Sequence, residues 1–223
     1  NWPGGSYDPE TNILYVSSNS SVTGLAVVPP YPGQSDMAYI QGNAATGPRT
    51  SGGAGSSVGG GRTEFSPAQR QRPQSSRGTP PIGIRVQGLP LLKPPYGTIS
   101  AIDLREGTIA WQIPHGQTPD RVAQHPMLEG TDLPRTGQNA SVGTLVTKTL
   151  LIAGEGELTV DENGVRRAML RAYHKTTGTE VGAVALPAPQ SGSPMTYMLN
   201  GEQYIVLAVS GGGYSGELIA LRL

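Results

Sequence analysis

Cysteine is absent from all 223 residues, which excludes disulfides, Cys-based zinc sites and a Cys-x-x-Cys-His haem attachment within this stretch. Charge is scarce as well: only 14% of residues are charged, and sixteen Lys and Arg are balanced by sixteen Asp and Glu. Such a chain has no global field to draw in nucleic acid or an anionic membrane surface, so no nucleic-acid partner is expected. Long apolar runs are missing too. The longest candidate, Tyr204 to Val209, has the length of a strand and falls far short of the ~20 residues that span a bilayer. The opening, Asn1-Trp2-Pro3-Gly4-Gly5, has neither the basic nor the apolar region of a signal peptide. It leads straight into strand-like sequence, and the expectation is a C-terminal fragment of a longer protein.

What the chain has in quantity is turn residues. Thirty-two Gly and twenty Pro favour many short strands over long helices, hence an all-β fold. Runs rich in β-branched or aromatic residues, bounded by Gly, Pro, Asn or Asp, predict ten strands: 13–17, 98–103, 108–113, 143–147, 150–153, 169–174, 180–186, 195–199, 203–209 and 217–223. Leu199-Asn200-Gly201-Glu202 carries the Asn-Gly hairpin signal, and Asp161 to Gly164 reads as a turn. Together they predict a meander of antiparallel strands.

A repeat is visible in the pattern Ala101-x-Asp103-x-x-x-Gly107-x-x-x-Trp111. It is echoed at Ala172-x-His174-x-x-x-Gly178-x-x-x-Gly182, and a third copy begins at Ile219-Ala220-Leu221. Ala172 and Ala220 lie 48 residues apart, which suits four strands per propeller blade. The first interval, from Ala101 to Ala172, is 71 residues and contains a Pro- and Gly-rich excursion, Pro114 to Asn139. In this motif the Gly makes a turn and the Trp, starting the next strand, packs on the neighbouring blade. The second copy lacks the Asp and the Trp and should dock less firmly. Three blades follow: Asn1 to about Pro114, about Ser141 to Pro187, and Ala188 to Leu223, the last without its fourth strand.

Within the first blade, between its second and third strands, an insertion of low complexity runs from about 18 to 88. Its Ser51–Gly61 stretch, nearly all Gly, Ser and Ala, buries too little apolar surface to offset the entropy of ordering. A largely disordered surface insertion is expected. A phosphate-binding loop is not, because no Gly-Lys-Ser/Thr follows the glycines.

Three stretches resemble the pyrroloquinoline quinone (PQQ)-dependent sugar and alcohol dehydrogenases, the branch with the quinoprotein glucose dehydrogenases in particular. They are Asn1-Trp2-Pro3-Gly4-Gly5 through Thr11, Lys93-Pro94-Pro95-Tyr96-Gly97 through Trp111 to Leu151, and Ser193-Pro194-Met195-Thr196-Tyr197 through Gln203 to Gly211-Gly212-Gly213. The resemblance implies about three four-stranded blades of an eight-bladed propeller holding PQQ near its axis, with calcium on the quinone's oxygens. It implies oxidation of a sugar or alcohol substrate and transfer of electrons to a respiratory acceptor, a quinone or a cytochrome. It places the protein in the periplasm, with any membrane association made through a segment outside this chain. The family's general base, an Asp, and most of its calcium ligands lie in the N-terminal half of the propeller, so no catalytic or metal residue is expected here and the fragment alone should be inactive.

By the same resemblance, Asn1 and Trp2 match an Asn-Trp pair whose amide bonds the quinone; a capping Asn is the alternative. Gly143 matches a channel-facing strand start, and a Gly needed only for tight packing is an equal alternative. Gly212, Gly213 and Tyr214 fall where glucose-oxidising relatives carry Gly-Gly-His near the substrate. No His follows these glycines, which puts glucose itself in doubt.

Among other groupings, His115, Asp120, His125 and Asp132 share the excursion and read as a solvated loop rather than a metal site. Glu155 and Glu157 share a face and read as a surface rim, with a calcium or substrate role as the alternative. Ser141 with His125 and Asp120 lacks the signature of a hydrolase triad. The competing functional class is a non-catalytic propeller of the same repeats, serving as a scaffold or binding module.

Overall fold

The computed structural model describes residues 3–43, 47–48, 84–139, 141–161 and 163–222. The described residues between 22 and 84 form one compact unit, and those before 22 and after 84 form another.

The larger unit opens with β1 (Gly5–Asp8) and β2 (Ile13–Asn19). The smaller unit contributes β3 (Leu25–Val28), β4 (Ile40–Asn43) and β5 (Gly47–Pro48). The larger unit resumes with β6 (Arg85–Val86), β7 (Leu89–Pro90), β8 (Gly97–Asp103) and β9 (Thr108–Pro114). A short helix, α1 (Asp120–Ala123), and a 3-10 turn at Pro126–Leu128 lie in the excursion. Then come β10 (Thr144–Val146), β11 (Leu150–Gly154), β12 (Thr159–Val160), β13 (Arg166–His174) and β14 (Glu180–Leu186). The last are β15 (Met195–Leu199), β16 (Glu202–Gly211) and β17 (Tyr214–Arg222). All ten predicted runs are strands.

Three antiparallel sheets take these strands in chain order: β1-β2-β8-β9, then β10-β11-β13-β14, then β15-β16-β17. The first is a complete four-stranded meander, the second is such a meander with the short β12 added against the start of β13, and the third has three strands among the described residues. This is the all-β propeller section expected from the repeat. Gly5–Asp8 was not among the predicted runs, since Tyr7 is its one strong strand former; it pairs with Ile13–Val16 and completes the first sheet. The Asn200-Gly201 hairpin has φ of 51° and 83°, the paired positive values of a type I′ turn.

The sheets stack face to face, and strand alternation assigns side chains to each interface. From β11, Leu151 and Ala153 join Tyr173 against Tyr15, Ile99 and Ala101 of the first sheet. Ile152, between them, joins Ala168, Leu170 and Leu186 against Ile205, Leu207 and Val209 of the third. The middle sheet is therefore apolar on both faces, as a layer covered on both sides must be.

In the smaller unit, the described part of the expected insertion is ordered into the three-stranded sheet β3-β4-β5. Expectation of disorder is corrected there: the Leu-Ala-Val-Val run and Ile40 pair in register. The Ser51–Gly61 stretch lies outside the described residues. The unit closes at a backbone hydrogen bond from Ile84 to Val22, so the main sheet loses 22–84 rather than 18–88.

Candidate functional site

In an antiparallel meander the connections alternate between two ends of the sheet. One end here carries tight turns, among them 9–12, 104–107, 175–179 and 200–201. The other carries the residues that follow β2 and precede β8, the excursion 115–143, 155–165, 187–194 and the Gly211-Gly212-Gly213 turn. The residues singled out as site candidates, where described, belong to this long-loop end.

At the tight-turn end the seam between the first two sheets is closed by Lys175. Its Nζ lies 2.6 Å from Asp8, both side chains being buried, and its carbonyl accepts from the Tyr15 hydroxyl and the Trp111 indole, each at 3.1 Å. The Lys175 ammonium holds the Asp8 carboxyl below its ordinary range. A Cβ on Gly178 would meet the Trp111 ring at 2.9 Å, so the Trp of one repeat stacks on the turn glycine of the next. Gly182, at the Trp position of the second copy, has nothing within 4 Å of a virtual Cβ.

Toward the long-loop end the same seam is polar. Glu155 is 0% exposed, which corrects its reading as a surface rim. Its carboxylate accepts from the backbone N–H of Gln117 and Met169 and from Arg171 Nε and Nη2, the last at 2.7 Å. Arg171 Nη1 bonds Glu180, which in turn pairs with Arg135 of the excursion. Burial pushes the Glu155 carboxyl up, against the pull of Arg171 and the backbone donors. His115 is buried beside this cluster, not in a solvated loop. Burial lowers its pKa to about 4, and the Gly154 carbonyl at 3.0 Å can only accept. Nε2 therefore carries the proton, and Nδ1 accepts from the Tyr173 hydroxyl at 2.9 Å, whose own pKa burial raises. This neutral pair is built for packing.

The other excursion groups go separate ways. His125 Nε2 meets the Gln87 carbonyl, and Asp120 accepts from Val160 N and pairs with Arg166. Among the described residues no three His, Asp or Glu are placed to hold a metal, and Ser141 joins neither His125 nor Asp120 in a hydrogen bond.

The candidates taken from the resemblance are placed as follows. Asn1 and Trp2 lie outside the described residues. Gly143 is buried, and a Cβ there would collide with Ser193 on the way into the third sheet. Its carbonyl accepts from Gln190 Nε2 at 2.8 Å, while Gln190 Oε1 takes the Gly154 N–H at 2.6 Å and Gln190 N donates to the Glu155 carbonyl. One amide thus fixes the start of β10 to the end of β11. Gly212 and Gly213 have φ of 62° and 88° in the β16–β17 turn, where a Cβ on Gly212 would press on Leu158. Tyr214 is exposed, and its hydroxyl donates to Glu217, which raises its pKa.

Two buried amides at this end, missed in the sequence, leave atoms free. Gln138 Nε2 and Asn139 Oδ1 have no hydrogen-bond partner. Buried polar atoms are nearly always satisfied, so unpaired ones mark where an outside group can bind. An unpaired donor and an unpaired acceptor on neighbouring residues suit an oxygen-rich, anionic quinone. The described residues offer no comparable set of oxygen ligands for calcium.

The family model of the PQQ glucose/ethanol/alcohol dehydrogenase β-propeller domain matches residues 1–205. A probable quinate dehydrogenase (quinone) of Xanthomonas campestris pv. juglandis is 35% identical over 139 residues, 58% of this chain and 15% of that protein. The quinate/shikimate dehydrogenase (quinone) of Acinetobacter baylyi is 33% identical over 132 residues, again 58% and 15%. The quinoprotein glucose dehydrogenase of Escherichia coli is 33% identical over 133 residues, with the same shares. The chain spans about 15% of the length of these curated relatives. Among solved structures, the quinohemoprotein alcohol dehydrogenase ADHIIG of Pseudomonas putida HK5 is similar over 97% of this chain and 22% of its own, at 15% identity and a TM-score of 0.49. The match over residues 1–205, joined to sheets that follow one another as blades, makes this chain a member of the PQQ-dependent dehydrogenase β-propeller family.

Proposed function

We propose that this chain forms one arc of a quinoprotein dehydrogenase that oxidises a sugar or another hydroxylated carbon compound with PQQ. The observation that carries this reading is the family match across residues 1–205. The relatives are named as dehydrogenases of quinate, glucose and glycerol, compounds that all bear hydroxyl groups on carbon. When bound, the quinone takes up two electrons and two protons from such a carbon, and the protein supplies orientation and electrostatics. In this proposal the Asn1 amide, Trp2 and the Gly143 strand start orient the cofactor, with Gln190 holding Gly143 in place. Gly212, Gly213 and Tyr214 form the substrate-proximal rim. The general base and the calcium ligands come from the rest of the propeller. A periplasmic location and a respiratory electron acceptor complete the reading, both on the strength of the family.

The test is reconstitution of the full-length protein with PQQ and calcium, followed by dye reduction with glucose, glycerol and quinate. Turnover with at least one supports the reading, and none with any hydroxylated substrate sinks it. Asn1→Ala should lower activity or quinone affinity by roughly one to two orders of magnitude, the cost of about 1.5–3 kcal/mol for a lost hydrogen bond to a charged group.

A further inference from the structure

Three side chains from separate segments at the long-loop end keep hydrogen-bond donors in reserve: Arg85 of β6, Arg121 of α1 and Gln138 at the close of the excursion. Arg85 spends Nη1 on the Gly88 carbonyl at 3.0 Å, and Arg121 spends Nη1 on Glu157 at 2.8 Å. The Nε of each is buried without a partner, and among the described residues neither Nη2 makes a hydrogen bond. Nε and Nη2 form the edge of a guanidinium that grips a carboxylate with two parallel bonds. Arg171 in the same chain uses both nitrogens of this edge, on the single oxygen Oε1 of Glu155. Arg85 and Arg121 have the same edge empty.

Gln138 connects the group. It is 2% exposed, its Oε1 accepts from Glu157 N at 3.0 Å, and its Nε2 beside that bond is unpartnered. Arg85 lies within electrostatic reach of Arg121, Glu157 and Tyr96, and its pKa is lowered by burial and then by Arg121. Tyr96, buried close by, feels both arginines. Two guanidinium charges lie within electrostatic reach of one carboxylate, which Arg121 contacts directly, and this leaves a single positive charge. Such a balance fits a singly charged carboxylate better than a dianionic phosphate.

We propose that Arg85, Arg121 and Gln138 form a binding site for a carboxylate group, with Glu157 holding the site partly closed as an internal competitor. The carboxylate has two sources with the same chemistry, an acidic hydroxylated substrate or the cofactor's own carboxylates. The site goes beyond the proposed function, which it uses only to choose the probes.

The experiment is calorimetric titration of the full-length protein in a buffer free of carboxylates, with quinate and, separately, with PQQ. The variants are Arg85→Gln combined with Arg121→Gln, and Glu157→Gln alone, each checked for an unchanged melting transition. The double variant should weaken one of the two ligands by about tenfold or more, as expected for lost charge-assisted hydrogen bonds. Loss confined to quinate assigns the site to the substrate, and loss confined to PQQ assigns it to the cofactor. Glu157→Gln should tighten the same ligand several-fold, an effect opposite in sign to that of general damage to the loops. The proposal is overturned if the wild type binds neither ligand, if the double variant binds both as the wild type does, or if Glu157→Gln weakens binding. Turnover of glycerol by a double variant that binds both ligands as the wild type does removes the site and leaves the dehydrogenase reading standing. Carboxylate binding with the expected variant pattern, in a protein that oxidises nothing, does the reverse.

Discussion

The two seams of this stack are built from opposite materials. Between the second and third sheets the contact is aliphatic: Ile152, Leu170 and Leu186 meet Ile205, Leu207 and Val209, with Gln190 as the polar clasp at its edge. Between the first and second, a small apolar patch around Tyr15, Leu151 and Tyr173 is flanked by the Asp8–Lys175 pair below and the Glu155–Arg171–Glu180–Arg135 cluster above. The excursion 115–139 enters the second kind of seam and supplies His115, Gln117 and Arg135. A loop brings backbone groups that need partners, and buried charges fixed on strands can provide them. An apolar seam specifies distance; a charged one also specifies which loop sits where.

If that contrast is right, the largest stability loss comes from unpairing the charged seam. Arg171→Met leaves Glu155 buried with two backbone donors and no cation, and should cost about 3–5 kcal/mol by denaturant unfolding. The combined change of Glu155 and Arg171 to apolar residues should recover much of this loss while loosening the excursion, seen as faster amide exchange at Gln117.

Trp111→Ala is next. The indole is half-buried, stacks on Gly178 and donates to Lys175, so a loss of about 3 kcal/mol is expected, at the low end for a packed Trp. Unchanged stability would mean the repeat's Trp does not dock the blades. Leu207→Ala in the apolar seam should cost about 2–4 kcal/mol with no pH dependence.

The charged seam should also be the acid-sensitive one. His115 has a folded pKa of about 4, below its ordinary 6.5. The folded state thus binds fewer protons than the unfolded state, and the stability held above about pH 6.5 is lost as pH falls toward 4. The full effect is on the order of 3 kcal/mol. Melting temperature followed from pH 7 to 4 should fall less steeply in His115→Gln than in the wild type. Parallel curves would remove His115 from the seam's pH response.

The smallest effect belongs to the smaller unit. Its neck closes at the Val22–Ile84 hydrogen bond, so replacing residues 22–84 with a short Gly-Ser linker should leave the unfolding of the three sheets nearly unchanged. A drop of several degrees in melting temperature would tie the unit to the sheets.

The apolar seam was legible in the sequence because it is periodic. Short apolar runs in β11 and β16, bounded by turn residues such as Gly154, Gly201 and Gly211, were enough to predict the strands, and Asn200-Gly201 the hairpin. The charged seam was not. Glu155 and Glu157 look alike in sequence, two carboxylates on alternate residues, yet one is wholly buried and the other pairs with Arg121 near the surface. The available signal was Arg171, a cation in the middle of β13 between Leu170 and Ala172, which requires a buried carboxylate partner; nothing local says which one. His115 likewise sits in a segment whose Pro and Gly content reads as solvent loop, and its burial depends on Tyr173 and Gly154, far along the chain. Gly143 was identified by resemblance, and its immediate neighbour is Ser193. The free amides of Gln138 and Asn139 carry no sequence pattern, because being unpartnered is a property of the folded surroundings.

Equilibrium binding of PQQ to the full-length protein, followed by quinone absorbance with calcium present, tests the central claim most directly. Saturable one-to-one binding that Asn1→Ala weakens by roughly tenfold or more is the expected result. A correctly folded protein that shows no saturable quinone binding would contradict the account and leave a propeller that uses the family's architecture without its cofactor.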